Sequence, residues 1–182
     1  RYIASLLDLY YKQILCASYI SAPKSRELVN LMKLYACDGK VNNQESYKPF
    51  ERLTDATIAS FFLQDGQRSN VFKNHASISE EYPDAIHPHF FYMHVGTEVG
   101  RVEIPAWIAN DITLTNMVAS VIYDQAKKGR GYPVALAEAH EQAVVKGPDR
   151  DFFYHLIAKM SLERKRKMGF SQKMVKKLGM GI

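Results

Sequence analysis

Residues 129–145 read Gly-Arg-Gly-Tyr-Pro-Val-Ala-Leu-Ala-Glu-Ala-His-Glu-Gln-Ala-Val-Val. Two glycines flank Arg130, and Pro133 has the fixed φ that suits the first position of a helix. Strong helix formers, mainly alanine, follow the proline. The stretch therefore predicts a glycine turn that leads directly into a helix.

One face of this predicted helix is apolar and carries a single imidazole. The positions that share the face are Pro133, Leu136, Ala137, His140, Ala143 and Val144. This spacing predicts that His140 points inward. Tyr132 lies just before the helix. The helical rise between Tyr132 and His140 would be about 12 Å, which is near enough for the two side chains to line the same pocket. A histidine on an apolar face is more often a satisfied core residue, so a core role and a site role both stay open.

Upstream of this stretch, two β-rich runs predict a hairpin. Residues 89–95 and 101–107 are separated by the five residues 96–100, which begin and end with glycine. Arg101 and Glu103 alternate with apolar residues in the second run, which predicts a strand with one face in water.

The remaining elements follow from helical periodicity and turn residues. We expect helices over residues 1–13, from 23 to about 38, over 54–63, over 113–127 and from 149 or 151 onward. The continuous apolar run at 14–20 predicts a central strand, and Ser21 is expected to cap the second helix. Residues 39–49 and 74–88 are expected to be loops. This order predicts an α/β domain with a mixed sheet flanked by helices.

Composition fits one folded domain over residues 1–182. The chain is 47% apolar and 12% aromatic, and no run is long enough to span a membrane. Cys16 and Cys37 form no disulfide framework, which fits a reducing compartment and predicts a cytoplasmic protein. Because the first residue is Arg1, inside a predicted helix, we expect the chain to be a fragment.

Basic charge is concentrated at the C-terminus. Residues 156–182 hold eight lysines and arginines against Glu163, a net charge of +7, so the other residues carry −2 of the total of +5. A basic helical tail over about 159–182 can neutralise nucleic-acid phosphates, with an affinity that falls steeply as salt rises. A solvated helix face would have the same composition.

Four basic side chains are candidates for nucleic-acid contacts. Lys24 and Arg26 lie in the first turn of a predicted helix, where a nearby anion would rationalise their charge. Arg68 follows a glycine turn from which its guanidinium can grip a phosphate, and Arg130 lies between two glycines. Solvated charges explain Lys24 and Arg26 equally simply, and Arg68 is explained by hydrogen bonds that hold its own loop.

Histidine and cysteine spacing does not indicate a metal site. His75, His87, His89 and His94 are spread over a loop and a strand, without the carboxylate or thiolate support that metals need. Positions on the surface or in the sheet explain them better. Neither cysteine has the spacing of a metal ligand.

Six stretches share their character and order with one protein family. They are residues 20–26 (Ile-Ser-Ala-Pro-Lys-Ser-Arg), 65–72, 101–107 (Arg-Val-Glu-Ile-Pro-Ala-Trp), 129–133, 138–140 (Glu-Ala-His) and 150–154. Together they resemble the C-terminal half of the NurA nuclease family, over nearly the whole chain from about Tyr10. The resemblance implies an RNase H-like nuclease fold, of which this chain is an incomplete, C-terminal portion.

The same resemblance implies a function. It points to a DNA nuclease with 5′–3′ exonuclease and single-strand endonuclease activity that resects double-strand breaks, depends on Mn²⁺ or Mg²⁺, forms a homodimer and works with a HerA-type helicase. It implies catalytic roles for Tyr132 and His140, and His140 is also a candidate metal ligand. The family carries its catalytic carboxylates upstream of Arg1, so we expect the chain alone to be inactive. An inert scaffold or helicase-docking module, and a plain α/β domain, are the alternatives.

Overall fold

The computed structural model describes residues 1–36, 50, 52–144, and then 149, 152, 153, 155–157, 159 and 160. The chain divides into two compact units, Arg1–Ala137 and Glu138–Ile182. Whether these units make a single domain stays a prediction. The loop expected at 39–49, Cys37 and the basic tail beyond residue 160 lie outside the described residues.

The described strands form one antiparallel sheet in the first unit. They are β1 (Ser18–Ile20), β2 (Phe72–Lys73), β3 (Pro88–His94) and β4 (Val99–Pro105), in the order β1-β4-β3-β2. The predicted hairpin is confirmed, since β3 pairs with β4 from Pro88 opposite Pro105 to His94 opposite Val99. Every strand pair is antiparallel, so the predicted mixed sheet is wrong for this part of the chain.

β1 lies at an edge of the described sheet, so its predicted central place is wrong. Its three residues pair only with β4, and Ser18 and Ile20 are exposed. Gln13, directly before the apolar run, adopts a left-handed conformation with φ 54°, and strand pairing begins only at Ser18. Leu15 then packs against the core before the strand begins. In this case the continuous apolar run marks neither a central strand nor a buried segment, since residues 14–20 are half-buried or exposed.

Six α-helices are described. They are α1 (Tyr2–Tyr11), α2 (Glu27–Ala36), α3 (Asp55–Ala59), α4 (Ala106–Ala109), α5 (Ile112–Lys128) and α6 (Val134–Ala143). The described residues from 149 to 160 are also helical, and two short 3₁₀ helices, Ser77–Glu81 and Asp84–Ile86, lie in the loop expected at 74–88. Ser21 does not cap α2, because its hydroxyl donates to Glu98 instead. None of the described helices combines the length and apolar character that crossing a membrane requires.

Successive side chains of β3 and β4 point to opposite faces of the sheet, and both faces hold buried residues. On one face, Phe91, Met93, Val102 and Ile104 pack with residues of α4 and α5. On the other face, Phe90, Tyr92 and Val99 pack with Ala59 of α3 and the half-buried Leu28 of α2. Both faces of the hairpin are therefore covered.

Several helices turn a different side to the sheet than hydrophobicity predicts. In α2, Val29 is fully buried, whereas Leu31, Met32 and Tyr35 are exposed. In α5, the small residues Ala119 and Ala126 are buried, while Met117 and Val121 are exposed. Phe61 and Phe62 fall in the helix expected at 54–63 but lie beyond the end of α3, where they are 78% and 73% exposed. In α5, the small side chains of Ala119 and Ala126 lie in the core and let the helix pack closely on the sheet.

Candidate active site

Tyr132 follows a turn with left-handed backbone at two consecutive positions. Arg130 has φ 56° and Gly131 has φ 114°, and the amide of Gly131 donates to the carbonyl of Ala126 at 2.8 Å. A Cβ on Gly131 would collide with the Thr97 side chain in the β3–β4 loop. Glycine at this position therefore satisfies both the backbone conformation and the close approach of the turn to the hairpin.

The Tyr132 ring packs against Tyr19 of β1. The two ring centroids lie 5.7 Å apart at an interplanar angle of 76°, the edge-to-face geometry that aromatic pairs favour. Tyr19 can occupy this place because its neighbour in β4 is Gly100, where a Cβ would lie 2.5 Å from the tyrosine ring. Tyr132 is half-buried, and its hydroxyl forms no hydrogen bond with a described residue. The site thus holds the ring and leaves its hydroxyl available.

Glu98, in the loop between β3 and β4, joins three segments. Its Oε1 accepts a hydrogen bond from the Tyr19 hydroxyl at 2.8 Å. Its Oε2 accepts from the Ser21 hydroxyl at 2.9 Å and from the Ala22 amide at 3.1 Å. Ala22 has φ 44°, so this carboxylate stabilises a left-handed turn directly after β1. Neither Tyr19 nor Glu98 was singled out by sequence, because no spacing rule links residues 79 positions apart.

Electrostatics keep Tyr19 protonated. Burial of the hydroxyl raises the pKa of Tyr19 well above its ordinary value of 10.0, and the hydrogen bond and negative charge of Glu98 raise the pKa further. The hydroxyl thus keeps its proton, and can donate to Glu98, even above the pH at which a tyrosine ordinarily ionises. This chemistry suits holding a neighbour in place and does not suit proton transfer.

Lys24 and Arg26 lie in the turn after β1 but have different surroundings. Lys24 is exposed and has no hydrogen-bond or ion-pair partner among the described residues. Arg26 is half-buried and donates from Nη2 to the carbonyl of Phe50 at 2.7 Å, while its buried Nε has no partner in the described part of the chain. Lys24 is therefore free to meet a phosphate, whereas Arg26 is partly committed to the protein.

Of the other two basic candidates, Arg68 is bound within the protein and Arg130 is not. The Arg68 side chain donates from Nε and Nη2 to Oδ1 of Asn116 in α5, at 3.1 and 2.7 Å, and from Nη1 to the carbonyl of Ser69. Burial lowers the pKa of Arg68. Arg130 is exposed and unpaired among the described residues. The structure thus gives Arg68 a loop-anchoring role, and a nucleic-acid contact by any of the four basic residues stays a prediction.

His140 is exposed, so the predicted inward orientation is wrong. No residue of α6 is buried, and Leu136 and Val144 on the predicted apolar face are 40% and 50% exposed. Around His140 the face offers only the small side chains of Ala137 and Ala143, which supply little apolar area to drive burial. A core role for His140 is therefore also wrong. His140 belongs to the second unit and Tyr132 to the first, and a shared catalytic role stays a prediction.

A buried carboxylate lies on the α2–α3 side of the sheet. Asp55 is fully buried and accepts hydrogen bonds from the Val29 amide at 2.9 Å and from the Tyr92 hydroxyl at 2.8 Å. The Ser25 hydroxyl lies 2.8 Å from the same Tyr92 hydroxyl. Thr54 caps α3, and Asp55, the first residue of that helix, bonds to α2 instead. This network stabilises the packing of α2 and α3 on the sheet.

Arg101 is the second buried charge on this side. Its side chain is 5% exposed, which makes the predicted wet face of β4 wrong. It forms ion pairs with Glu27 at 2.8 Å and Glu103 at 3.0 Å, and its guanidinium lies 3.8 Å from the Phe90 ring centroid. Burial by itself lowers the pKa of Arg101, but the hydrogen bond and charges of the two glutamates outweigh burial and raise the pKa overall. Paired glutamates thus make a buried arginine tolerable.

The described residues on their own do not fit a divalent cation. They include no group of three or more histidine, cysteine, aspartate or glutamate side chains placed to hold a metal. The carboxylates around the sheet are already engaged, Glu98 by three donors and Glu27 and Glu103 by Arg101. The chemistry that this part of the chain offers is a free tyrosine hydroxyl, exposed cationic groups and an exposed imidazole.

Comparison with known proteins identifies the family. No curated protein and no solved structure gives a significant match. The family model for the NurA domain matches residues 1–145, which include Tyr132, His140 and both strands of the hairpin. The match covers most of the 182 residues, and the chain belongs to the NurA domain family, a family of nucleases.

Proposed function

We propose that this chain is the C-terminal portion of a divalent-metal-dependent DNA nuclease. The proposed reaction class is 5′–3′ exonuclease and single-strand endonuclease cleavage during resection of double-strand breaks. The observation that carries the proposal is the free hydroxyl of Tyr132 on an anchored ring, within a chain that matches the NurA domain over residues 1–145. A hydroxyl held in this way can orient a phosphate or an attacking water.

Within this proposal, four of the candidate residues have a task. Tyr132 orients a phosphate oxygen or a water molecule, and His140 binds the scissile phosphate or a metal. Exposed Lys24 and Arg130 neutralise phosphates of the bound strand. The catalytic carboxylates, with Mn²⁺ or Mg²⁺, would come from segments outside these 182 residues. A complete RNase H-like fold, a homodimer, a HerA-type helicase partner and a cytoplasmic location belong to the same proposal.

A second candidate function is an inert scaffold or helicase-docking module. The observation that favours it is the number of large apolar side chains left exposed on α2 and after α3. They are Leu31, Met32, Leu34, Tyr35, Phe61 and Phe62. Exposed apolar side chains mark a protein interaction site where they form one contiguous patch.

Cleavage assays separate the two functions. A labelled single strand is incubated with Mn²⁺ or Mg²⁺ and either the natural protein that contains these residues or the 182-residue chain alone. The proposal predicts cleavage by the natural protein, loss of cleavage in EDTA, and no cleavage by the chain alone. Cleavage by the rigorously purified chain would contradict the proposal that the catalytic carboxylates lie outside these 182 residues. No cleavage by the natural protein with either metal would favour the scaffold.

A further inference from the structure

The free hydroxyl of Tyr132 needs a fixed direction if it acts on DNA. Its own turn is held by the hydrogen bond from the Gly131 amide to the Ala126 carbonyl and by the close approach of Gly131 to Thr97. These contacts fix the backbone before Tyr132, but no described residue forms a hydrogen bond with the end of its side chain. A neighbouring group has to supply the rest.

Tyr19 is the aromatic group in contact with the Tyr132 ring. Its ring meets Tyr132 edge to face at 5.7 Å, and its own far end is tied to Glu98 by a 2.8 Å hydrogen bond. The other oxygen of Glu98 is tied to the turn after β1 at Ser21 and Ala22. Tyr19 is thus held at both ends, by its strand and by its hydroxyl.

The geometry assigns Tyr19 as the positioning residue for Tyr132, with Glu98 as its anchor and Gly100 as the space that admits its ring. Tyr19 acts through Tyr132 and does not touch DNA. This inference rests on the proposed function for its catalytic consequence, whereas its structural part stands on the contacts alone. A ring fixed by a partner spends more of its time in the productive orientation, and small misplacements of a catalytic group are costly.

Three substitutions test separately the Tyr19 ring, its hydrogen bond to Glu98 and the space at Gly100. Tyr19→Leu removes the ring that contacts Tyr132. Tyr19→Phe keeps that ring and removes only the hydrogen bond to Glu98. Gly100→Ala leaves both tyrosines intact but pushes the Tyr19 ring aside, because the new Cβ would lie 2.5 Å from it. Tyr11→Phe, at a tyrosine that is 75% exposed, is the matched control.

The first readout needs no activity. With 3-fluorotyrosine placed at position 132 of the natural nuclease, ¹⁹F NMR reports the ring's surroundings. We expect the resonance to move toward the free amino acid in Tyr19→Leu and Gly100→Ala, to move less in Tyr19→Phe, and to stay in place in Tyr11→Phe. An unmoved resonance in both Tyr19→Leu and Gly100→Ala would overturn the inference.

The second readout is a double-mutant cycle in the natural nuclease. We expect Tyr19→Leu to lower kcat about 10-fold or more, with KM for DNA nearly unchanged, and to have no further effect when Tyr132→Phe is already present. Losses that add in the double variant would overturn the inference. If Tyr132→Phe keeps full activity, the proposed function of Tyr132 fails, and the fluorine spectrum alone then decides whether Tyr19 positions its ring.

Discussion

Arg101 of β4 donates from a single Nη1 atom to both carboxylate oxygens of Glu27 in α2, at 2.8 and 2.9 Å. The two residues are 74 positions apart, and the contact fastens α2 across the middle of the sheet. The arginine is almost fully buried, while the glutamate side chain is 45% exposed. The ion pair therefore links a buried residue of the sheet to a partly exposed residue of α2.

Arg101→Met tests this coupling. Removing the guanidinium leaves the negative charges of Glu27 and Glu103 without their shared cation. It also removes the cation that lies over the Phe90 ring. We expect the free energy of unfolding to fall by about 3 kcal/mol, the low end for breaking a buried pair, because Glu27 can turn into water. Urea unfolding measures it. Asp8→Asn, which breaks the exposed pair with Lys12, is the control and should cost less than about 1 kcal/mol. An equally small loss in both variants would contradict the account.

Tyr92→Phe tests the buried carboxylate network. The change removes one hydroxyl from a fully buried residue and leaves Asp55 with one donor fewer in the interior. We expect a loss of about 1–3 kcal/mol in the free energy of unfolding, because a buried charged acceptor has to go unsatisfied. Tyr11→Phe, at an exposed ring, should change stability by less than about 0.5 kcal/mol. Equal stability of the two variants would show that the network contributes nothing.

Comparison of sequence and structure shows where pattern reasoning succeeds. The hairpin was predicted because its signal is local: two β-rich runs and a short loop with glycine at both ends. Helix existence was likewise local, and α1 and α5 were predicted to within two residues at each end. The burial of Arg101 and Asp55 was missed because it depends on Glu27 and Val29, which only the folded chain brings near. Long-range pairing of charges leaves no period in the sequence.

The candidate site follows the same division. Tyr132 and its glycine turn were visible in sequence, since φ values above zero at Gly131 require glycine-like freedom. Tyr19, Glu98 and Gly100 were not visible, because their roles come from register across β1 and β4. The orientation of His140 was predicted wrongly, since helical period reports which residues share a face and not whether anything covers that face.

Stability should fall on acidification through His89. Burial lowers the pKa of His89 below its ordinary 6.5, and the charges of His87 and Lys73 lower it further. The unfolded chain then binds a proton near pH 6.5 that the folded chain does not bind, so this contribution to stability is complete above pH 6.5 and is lost as pH falls through the folded pKa. We expect the stability of the wild type relative to His89→Gln to shrink between pH 7.5 and pH 5. A pH-independent difference in urea unfolding would contradict this.

Three of the four basic candidates should differ in the salt dependence of DNA binding. Lys24→Ala and Arg130→Ala should each weaken binding to a single strand and reduce the slope of log affinity against log salt by about 0.7, the share of one phosphate contact. Arg68→Ala should leave the slope unchanged and lower the melting temperature, because it releases Asn116 and the Ser69 carbonyl. Fluorescence anisotropy at several salt concentrations measures the slopes. A flatter slope for Arg68→Ala would show instead that the Arg68 side chain contacts a DNA phosphate.

The most direct measurement of the central claim is the cleavage rate and melting temperature of Tyr132→Phe, taken side by side in the natural nuclease. The substitution keeps the ring contact with Tyr19 and removes a hydroxyl that no described residue uses. We predict a melting temperature within about 2 °C of the wild type and a fall in kcat of about 100-fold. His140→Ala should behave in the same way, with Tyr11→Phe and His75→Ala as exposed controls. A folded Tyr132→Phe variant with ordinary cleavage would contradict the claim that this hydroxyl belongs to the active site.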